Sequence, residues 1–342
     1  MKELYLKDIT IQNYKIFVGK TVSFDKNFNI IIGEPGIGKT TILESITVLL
    51  SAYLLGYKTY MSSKNIENIK PSDVRLSDME PIYPCCISGK FLLDECLKSV
   101  SRIRRNENEN TRFNGKNVFD NTNFEQLMAN ADNSDKKEIL PVLLYFNPNR
   151  LINPKKTTKQ RKELEFKFSY NRTDGYYRCL KDLDMDYSYY YLKRMQMISM
   201  EERDGKPYPA YSLVMNTLNN VLCDAFDDSQ KLVFTTKDGL DKIALKMQNE
   251  LLVIDKLNTG LQNLIKIILS IMARMCVLNP YLAENALETP GIVLIDELDL
   301  ALDSIWKQKF IEILKTTFPN VQFICTVNGD LKTNENTINL DN

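Results

Sequence analysis

The chain has 342 residues, 44% of them hydrophobic and 26% charged, and its 44 basic residues balance its 44 acidic residues. This is the composition of a globular protein with two lobes or one large α/β domain, without the basic excess that free DNA binders usually carry. No histidine is present, which excludes from this chain a Ser-His-Asp triad, a Cys-His pair, a histidine-ligated zinc site and an HNH-type nuclease site.

The cysteines and the apolar segments predict where the protein resides. Seven cysteines are scattered without a C-x-x-C pair, at Cys85, Cys86, Cys96, Cys179, Cys223, Cys276 and Cys325. Their odd number and the absence of a signal peptide favour reduced, mostly buried thiols in a cytoplasmic protein. No apolar run reaches the length of a membrane span, so no membrane contact is predicted.

The N-terminal segment predicts strands that lead into a phosphate-binding loop. Residues 3–32 alternate as antiparallel strands do, and residues 29–50 read "NIIIGEPGIGKTTILESITVLL". This stretch contains G-x-x-x-x-G-K-[ST] between a strand and an apolar helix, which is the context that a phosphate loop requires. A chance glycine-rich turn is the alternative, but every motif position is filled in the right structural setting.

The residue types in this loop fit its chemistry. The glycines let the backbone aim N–H groups at phosphate oxygens, beside a helix N-terminus with partial positive charge. Lys39 is expected to reach the β- and γ-phosphates of ATP, and the Thr40 hydroxyl is expected to ligate Mg²⁺. The predicted nucleotide-binding residues are Gly33, Glu34, Pro35, Gly36, Ile37, Gly38, Lys39, Thr40 and Thr41.

Four segments are predicted along the chain. Residues 1–57 form the N-terminal part of the nucleotide-binding core, with a helix after the loop. Residues 58–137 weaken into an Asn-rich insertion that is partly loop-rich. Residues 138–230 hold a buried strand at 138–146 and a helical lobe. Residues 231–342 begin with a short hairpin and complete the core.

Three features of the middle region each have a functional and a structural interpretation. The basic run at residues 155–162 can contact phosphate, although such runs are usually solvated loops. The tyrosines of "DYSYYYLKRMQMISMEER" can stack on bases, although packing within a helical lobe is commoner. Asp182, Asp184 and Asp186 alternate like metal ligands, although a solvated helix start is favoured because no strand context supports a site.

A second half of the site is predicted in "GIVLIDELD", residues 291–299. The apolar run 292–295 is typical of a buried strand, and it ends in the adjacent acids Asp296 and Glu297. Because side chains alternate along a strand, Asp296 is expected to hold Mg²⁺ while Glu297 faces the attacking water as general base. An apolar run before Asp-Glu is common by chance, and the phosphate loop upstream makes the functional interpretation strong.

The segment "KLNTGLQNLIKIILSIMARM" opens a long amphipathic helix at Asn258-Thr259-Gly260. Asn258 is a good helix N-cap, which is the structural interpretation. The functional interpretation makes this helix N-terminus an anion site for a second nucleotide, where the helix dipole and a glycine would admit a γ-phosphate.

These motifs resemble the ABC-type ATPase head of the SMC, RecF and OLD superfamily. "GEPGIGKTT" looks like its Walker A motif, "LIDE" its Walker B motif, "LALD" its D-loop, and "LNTGLQ" stands at its signature motif. The resemblance implies an α/β head with a parallel P-loop core sheet, N-terminal antiparallel strands and an inserted helical lobe. It also implies a homodimer that sandwiches ATP, in which Asn258, Thr259, Gly260 and Asp303 contact the nucleotide of the partner copy.

Within that superfamily the chain is most similar to the defence ATPases of Septu and retron-associated systems, which are PtuA-like. "LPVLLYFNPNR", "GYYRCLKD", "ARMCVLNP" and "TTFPNVQFICT" carry this similarity. It implies a separate HNH nuclease as the effector partner. Asn328 stands where the family has its switch histidine, and Asn258 replaces the signature serine. An amide cannot carry a proton near neutral pH, so Asn328 predicts slow or regulated hydrolysis.

Three functions follow from these motifs. The first is a slowly hydrolysing ATPase that dimerises on ATP and regulates a nuclease effector in antiphage defence. The second is a RecF-like DNA repair ATPase, which would bind nucleic acid directly with strong salt dependence. The third is an ATP-locked structural scaffold with little turnover. This hypothesis rests on the neutral amides of Asn258 and Asn328 at the signature and switch positions.

Overall fold

The fold was established from a computed structural model of the chain. It describes residues 3–56, 65–116, 118–119, 138–151, 172–181, 185–201, 209–225, 230–237, 240–248, 250–329 and 333–341. The basic run at 155–162, and Asp182 and Asp184, lie outside these residues. Among the described residues no group of three or more histidine, cysteine or acidic side chains is arranged to bind a metal ion.

The described residues form both strands and α-helices. In chain order the strands are β1 (Leu4–Tyr14), β2 (Phe17–Ser23), β3 (Phe28–Ile32), β4 (Leu76–Ser77), β5 (Glu80–Pro81), β6 (Cys85–Leu93), β7 (Cys96–Arg104), β8 (Arg112–Phe113), β9 (Val142–Phe146), β10 (Lys231–Lys237), β11 (Leu240–Met247), β12 (Glu250–Val253), β13 (Gly291–Ile295), β14 (Val321–Thr326) and β15 (Asn336–Asn339). The α-helices are α1 (Lys39–Leu55), α2 (Met185–Glu201), α3 (Pro209–Val221), α4 (Thr259–Leu278) and α5 (Ser304–Thr317).

A parallel sheet forms the centre of the protein, in the order β15-β3-β14-β13-β9. Each neighbouring pair in it is parallel. All residues of β9, β13 and β14 are buried, as expected for strands covered by helices on both faces. The carboxyl ends of β3, β13, β14 and β9 therefore meet at one edge, where the predicted site residues follow them.

An antiparallel sheet of order β2-β1-β6-β7-β8 packs beside the parallel one. Its strand β1 alternates buried and exposed side chains, and a register shift between Leu6 and Asp8 interrupts the alternation. The buried side chain of Gln322 on β14 joins the two sheets. Its Oε1 accepts the N–H of Leu6 at 2.8 Å, and its Nε2 donates to the carbonyls of Leu6 and Asp25 at 2.9 and 2.7 Å.

The segment 58–137, which the sequence analysis expects to be a partly loop-rich insertion, contributes strands to the N-terminal sheet. Strands β6 and β7 fall within it and belong to the N-terminal sheet, since β6 pairs directly with β1. The apolar residues of both strands are interrupted by polar ones, and β6 pairs with a strand about 80 positions away, as in Ile9↔Gly89, while β7 pairs with β6. Local patterning therefore missed these strands. The predicted domain boundaries themselves stay a prediction.

Two helices link this framework to the site. Helix α1 packs between the two sheets and is buried nearly all round, with its Leu49 side chain against Gly89 of β6. Helix α4 packs on β9 and beneath α2 and α3, which form the predicted helical lobe. It has the length and apolar composition of a membrane-spanning helix, and 83% of its most apolar window is buried inside the protein. Core helices share these properties.

The predicted hairpin near residue 231 is confirmed as the antiparallel pair β10–β11, which β12 extends to three strands. The tyrosines of α2 pack rather than project. Tyr187, Tyr189 and Tyr191 are 0–6% exposed, and Tyr187 stacks under the guanidinium of Arg274 at 4.1 Å. The structural interpretation of this tyrosine-rich segment is therefore the one that the structure supports.

We expect Gly291→Ala to destabilise the protein by about 3 kcal/mol, because an added methyl group overpacks the central sheet. A Cβ at Gly291 would lie 1.9 Å from the carbonyl oxygen of Val142 on the neighbouring strand β9. Chemical denaturation of both proteins measures the difference. Gly19→Ala is the matched control, since a Cβ at Gly19 on β2 meets nothing within 4 Å. Equal stability of the two variants would contradict the expectation.

Candidate functional site

The phosphate loop lies between β3 and α1, as the sequence predicted. Gly36 and Gly38 have φ of 85° and 105°, in the left-handed region that favours glycine. A Cβ at Gly38 would lie 2.6 Å from side-chain atoms of both Ile16 and Phe17. The turn between β1 and β2 thus packs against the loop, which explains the second requirement for glycine at this position.

The lysine of the loop is held by the loop itself. Lys39 is 8% exposed, and its Nζ donates to the carbonyl of Gly33 at 2.5 Å and to that of Glu34 at 3.4 Å. Thr40, the next residue on α1, is exposed, while Thr41 is buried. A buried ammonium and an open hydroxyl therefore lie side by side at the positively polarised end of α1.

The acid that ends β13 is buried with one oxygen satisfied and one not. Asp296 is 1% exposed, and its Oδ1 accepts the hydroxyl of Thr326 at 2.5 Å. Its Oδ2 is buried without a hydrogen-bond partner among the described residues. Burying a carboxylate oxygen without a partner costs free energy unless a cation or a hydrogen-bond donor binds to it. Asp296 therefore fits the role of a metal ligand.

Glu297 is placed by the same threonine. Its backbone N–H donates to Oγ1 of Thr326 at 2.8 Å, and its own φ is 50°. A non-glycine residue in the left-handed region is uncommon and costs free energy, so the surrounding contacts must impose it. Its side chain is partly exposed at the sheet edge, where a general base for a bound water would be needed.

Asn328 follows β14, and its side chain is exposed. Its backbone N–H lies 3.2 and 3.3 Å from the two carboxylate oxygens of Asp299. Lys307 pairs with the same carboxylate at 2.9 Å. The segment after the last core strand is therefore tied to the loop after β13, which brings Asn328 to the edge that carries Asp296 and Glu297.

The start of α4 matches the structural interpretation of Asn258. The Oδ1 of Asn258 accepts the N–H of Leu261 at 2.8 Å and caps the helix. Asn258 and Thr259 are exposed, whereas Gly260 is buried. A Cβ at Gly260 would lie 2.5 Å from the carbonyl oxygen of Ala301, so within one chain this glycine is needed for the approach of the D-loop, residues 300–303.

Asp303 has a similar local role at the end of the D-loop. Its Oδ1 accepts the N–H groups of Ile305 and Trp306 at 3.0 and 2.9 Å and caps α5. Asp303 is exposed, as are Asn258 and Thr259. Three of the four residues predicted to act on a partner's nucleotide are therefore exposed, and the buried fourth, Gly260, brings the start of α4 against the D-loop. That these residues contact the nucleotide bound to a second copy of the chain stays a prediction.

A buried guanidinium links the parts of this site, and the sequence analysis did not identify it. Arg150 lies in the short 3-10 turn after β9 and is 8% exposed. It donates to the carbonyls of Asp296 and Glu297, each at 2.5 Å, and to Oδ1 of Asn263 on α4 at 2.7 Å. Burial lowers the pKa of Arg150 to about 10, while the charges of Asp296 and Glu297 oppose the shift.

Thr326, Arg150 and Asn263 are the site residues that sequence reasoning missed. A usable signal existed for two of them, because residues that follow the carboxyl ends of parallel strands line the ligand edge of such sheets. Thr326 ends β14, and Arg150 follows β9 by four positions. Nothing local marks Asn263, since it lies among the apolar residues of α4 and its role depends on contacts with distant loops.

Comparisons with known proteins identify the family and the fold of the chain. The family described as "RecF/RecN/SMC N terminal domain" matches residues 5–338. The "Retron Vc95 probable ATPase" of Vibrio cholerae serotype O1 biovar El Tor is 25% identical over an alignment of 373 residues, which covers 96% of this chain and 71% of that protein. The "Septu protein PtuA" of Bacillus thuringiensis is 24% identical over 342 residues, with 95% and 72% covered.

The same fold occurs among solved structures. The Smc head bound to the C-winged helix domain of ScpA superposes with a TM-score of 0.55 at 14% identity, covering 96% of this chain and 91% of that one. Identity at this level shows the fold alone, and it confirms the predicted α/β head with a parallel core and antiparallel N-terminal strands. The chain therefore belongs to the RecF/RecN/SMC N-terminal domain family and is an ABC-type ATPase.

Proposed function

We propose that the chain is the ATPase of an antiphage defence system, in which two copies close over ATP and control a separate nuclease effector. One structural observation supports the proposed dimer. Asn258 and Thr259 at the start of α4 and Asp303 at the end of the D-loop are exposed polar residues on two segments that meet at Gly260 and Ala301, while the phosphate loop belongs to a different part of the chain. Each copy thus offers both halves of an ATP sandwich, as a symmetric dimer requires.

Each site residue has a role in this proposal. The loop amides and Lys39 bind the phosphates of ATP, and Thr40 and Asp296 hold Mg²⁺, which neutralises developing charge on the phosphates when bound. The unpartnered Oδ2 of Asp296 supports that assignment. Glu297 orients and deprotonates the attacking water. Asn328 bonds to the γ-phosphate or water without carrying a proton, so hydrolysis is slow.

Two observations support the effector and the biological role. Relatives across nearly the whole chain bear the names retron probable ATPase and Septu protein PtuA, which favours defence. These 342 residues contain no histidine, so the proposal assigns a histidine-dependent nuclease step to the separate effector. The proposal keeps the predicted cytoplasmic location. Nucleic acid could contact the protein through the basic run at 155–162, and no membrane role is proposed.

A second candidate is a RecF-like DNA repair ATPase, because the family description includes RecF. It differs in requiring direct DNA binding and DNA-stimulated hydrolysis. A mobility-shift titration at two salt concentrations separates the candidates, because phosphate contacts make affinity fall steeply with salt. Absence of a shift at modest salt would remove the RecF-like candidate.

A third candidate, an ATP-locked scaffold, is favoured by the amide of Asn328 at the switch position. An enzyme and a scaffold differ in what Glu297→Gln does to ATP turnover. A large fall in turnover, to a low but measurable residual rate, on replacing the general base indicates an enzyme, whereas unchanged turnover indicates a scaffold.

The composite site can be tested by mixing two inactive variants. We expect Lys39→Ala to abolish ATP binding in its own copy, and Thr259→Glu to repel the partner's phosphates while a first-turn glutamate preserves α4. Each variant alone should be inactive. An equal mixture should recover roughly one quarter of wild-type turnover, because half of random dimers are mixed and each holds one intact site.

The controls for this experiment are internal. Thr259→Glu should still bind ATP, and wild type with a non-hydrolysable ATP analogue should elute as a dimer in size exclusion with light scattering. A mixture as inactive as its components, or a protein that stays monomeric with the analogue, would refute the ATP sandwich.

The metal assignment yields a separate prediction at Thr326. Thr326→Val keeps the shape but removes the hydroxyl that orients the carboxylate of Asp296, so the Mg²⁺ concentration for half-maximal turnover should rise about 10-fold. Thr326→Ser keeps the hydroxyl and is the matched control. Titrating Mg²⁺ at saturating ATP measures the effect. The same Mg²⁺ dependence in both variants would argue against Asp296 as the ligand.

A further inference from the structure

Arg150 hydrogen-bonds to several separate parts of the ATPase site, yet it carries no assigned role. Its Nε donates to Oδ1 of Asn263, one terminal nitrogen donates to the carbonyls of Asn147 and Asp296, and the other donates to the carbonyl of Glu297. A guanidinium has five N–H donors in a rigid plane. Most of its capacity is thus used inside the protein rather than toward a ligand.

The geometry points to Arg150 as a positioning residue for the general base Glu297. Glu297 has a backbone φ of 50°, and three hydrogen bonds hold that backbone: its N–H donates to Thr326, and its carbonyl accepts from Arg150 and from the N–H of Leu300. A residue held in a sparsely populated conformation relaxes when its supports are removed. Without Arg150 the backbone of Glu297 turns, and the carboxylate leaves the position from which it activates water.

Arg150 also joins the general base to the surface proposed to meet a second copy. Its partner Asn263 lies one turn into α4 from Gly260 and donates from Nδ2 to the carbonyl of Leu300 in the D-loop at 3.1 Å. Asn263 is completely buried, at 0% exposed. One continuous chain of hydrogen bonds therefore runs from Glu297 through Arg150 and Asn263 to the D-loop.

This chain of hydrogen bonds can transmit the binding of a second copy to the general base Glu297. When the start of α4 and the D-loop meet the other copy's nucleotide, any shift of α4 is transmitted to the guanidinium and so to the general base. A hydrogen-bonded link of this kind shows coupling only if the ATPase site and the dimer surface both change the conformation of one shared structural element. This second step rests on the proposed dimer, whereas the positioning of Glu297 by Arg150 rests only on ATPase activity.

Arg150→Lys tests the positioning step. Lysine keeps the charge but cannot bond three separated acceptors in one plane, so Glu297 loses its support. We expect ATP affinity to change less than about twofold and kcat to fall about 10- to 100-fold, as small misplacements of catalytic groups do. Nucleotide binding by fluorescence and steady-state turnover separate the two quantities.

A double-mutant comparison distinguishes positioning from general destabilisation. Adding Arg150→Lys to Glu297→Gln should cause no further loss of turnover, because residues that act as a unit are not additive. The matched control is Arg274→Lys, which removes a buried guanidinium on α4 that bonds the carbonyls of Gly175 and Tyr177 at 2.6 and 3.0 Å. It should lower thermal stability and leave the kcat of the folded enzyme unchanged.

The outcomes that overturn the inference are distinct. Unchanged kcat in Arg150→Lys, or an equal loss in Arg274→Lys, shows that Arg150 is structural. A further fall when Arg150→Lys is added to Glu297→Gln shows that Arg150 does not act through Glu297. These readouts do not require a dimer, so they stand apart from the mixing experiment with Lys39→Ala and Thr259→Glu.

The coupling step has its own variant. Asn263→Asp keeps an acceptor for Arg150 but removes the donor to Leu300, which detaches the D-loop from the path. Turnover per copy should then rise less steeply with protein concentration than in wild type. An unaltered concentration dependence would overturn the coupling step. If wild-type turnover per copy stays constant over the concentration range in which light scattering shows the dimer dissociating, the dimer proposal fails and only the positioning of Glu297 by Arg150 remains.

Discussion

Parallel pairing of five strands is the constraint on which the site depends. Because neighbouring strands run the same way, the loops that follow β3, β9, β13 and β14 leave the sheet at one edge. The phosphate loop, the turn with Arg150, the acids Asp296 and Glu297, and Asn328 follow these four strands. Segments separated by up to about three hundred positions in the chain are thereby brought to a common edge, and no local motif could do this alone.

The polar groups at this edge are expensive to bury, and their arrangement shows how the cost is limited. Arg150 is surrounded by carbonyl oxygens, which partly replace the water that a guanidinium loses. The hydroxyl of Thr326 satisfies one oxygen of Asp296 and accepts the N–H of Glu297. The second oxygen of Asp296 has no hydrogen-bond partner among the described residues, which fits its proposed role as a cation ligand. Stability and chemistry thus depend on the same few hydrogen bonds.

The two faces of the site differ in how they are built. The phosphate loop and Walker B acids lie on the rigid central sheet, where the strands are buried on both faces. The start of α4 and the D-loop are exposed, and they pack on one another through Gly260 and Ala301. A surface of this kind keeps its shape in a single copy while remaining accessible to a second one. The path through Arg150 and Asn263 joins these two faces within each copy.

The sequence by itself determined the phosphate loop, the buried strand before Asp296, the N-cap at Asn258 and the class of fold, because each depends on neighbours within a few residues. Periodicity and glycine spacing are local properties, so one chain reveals them. Strands β6 and β7 were not predicted from the sequence, since β6 joins the N-terminal sheet by pairing with residues some eighty positions away and β7 joins that sheet through β6. Arg150, Asn263 and Thr326 acquired their roles only in the tertiary structure. Each forms its decisive hydrogen bonds with backbone or side-chain groups at least 29 positions distant, and no pattern along the chain records such contacts.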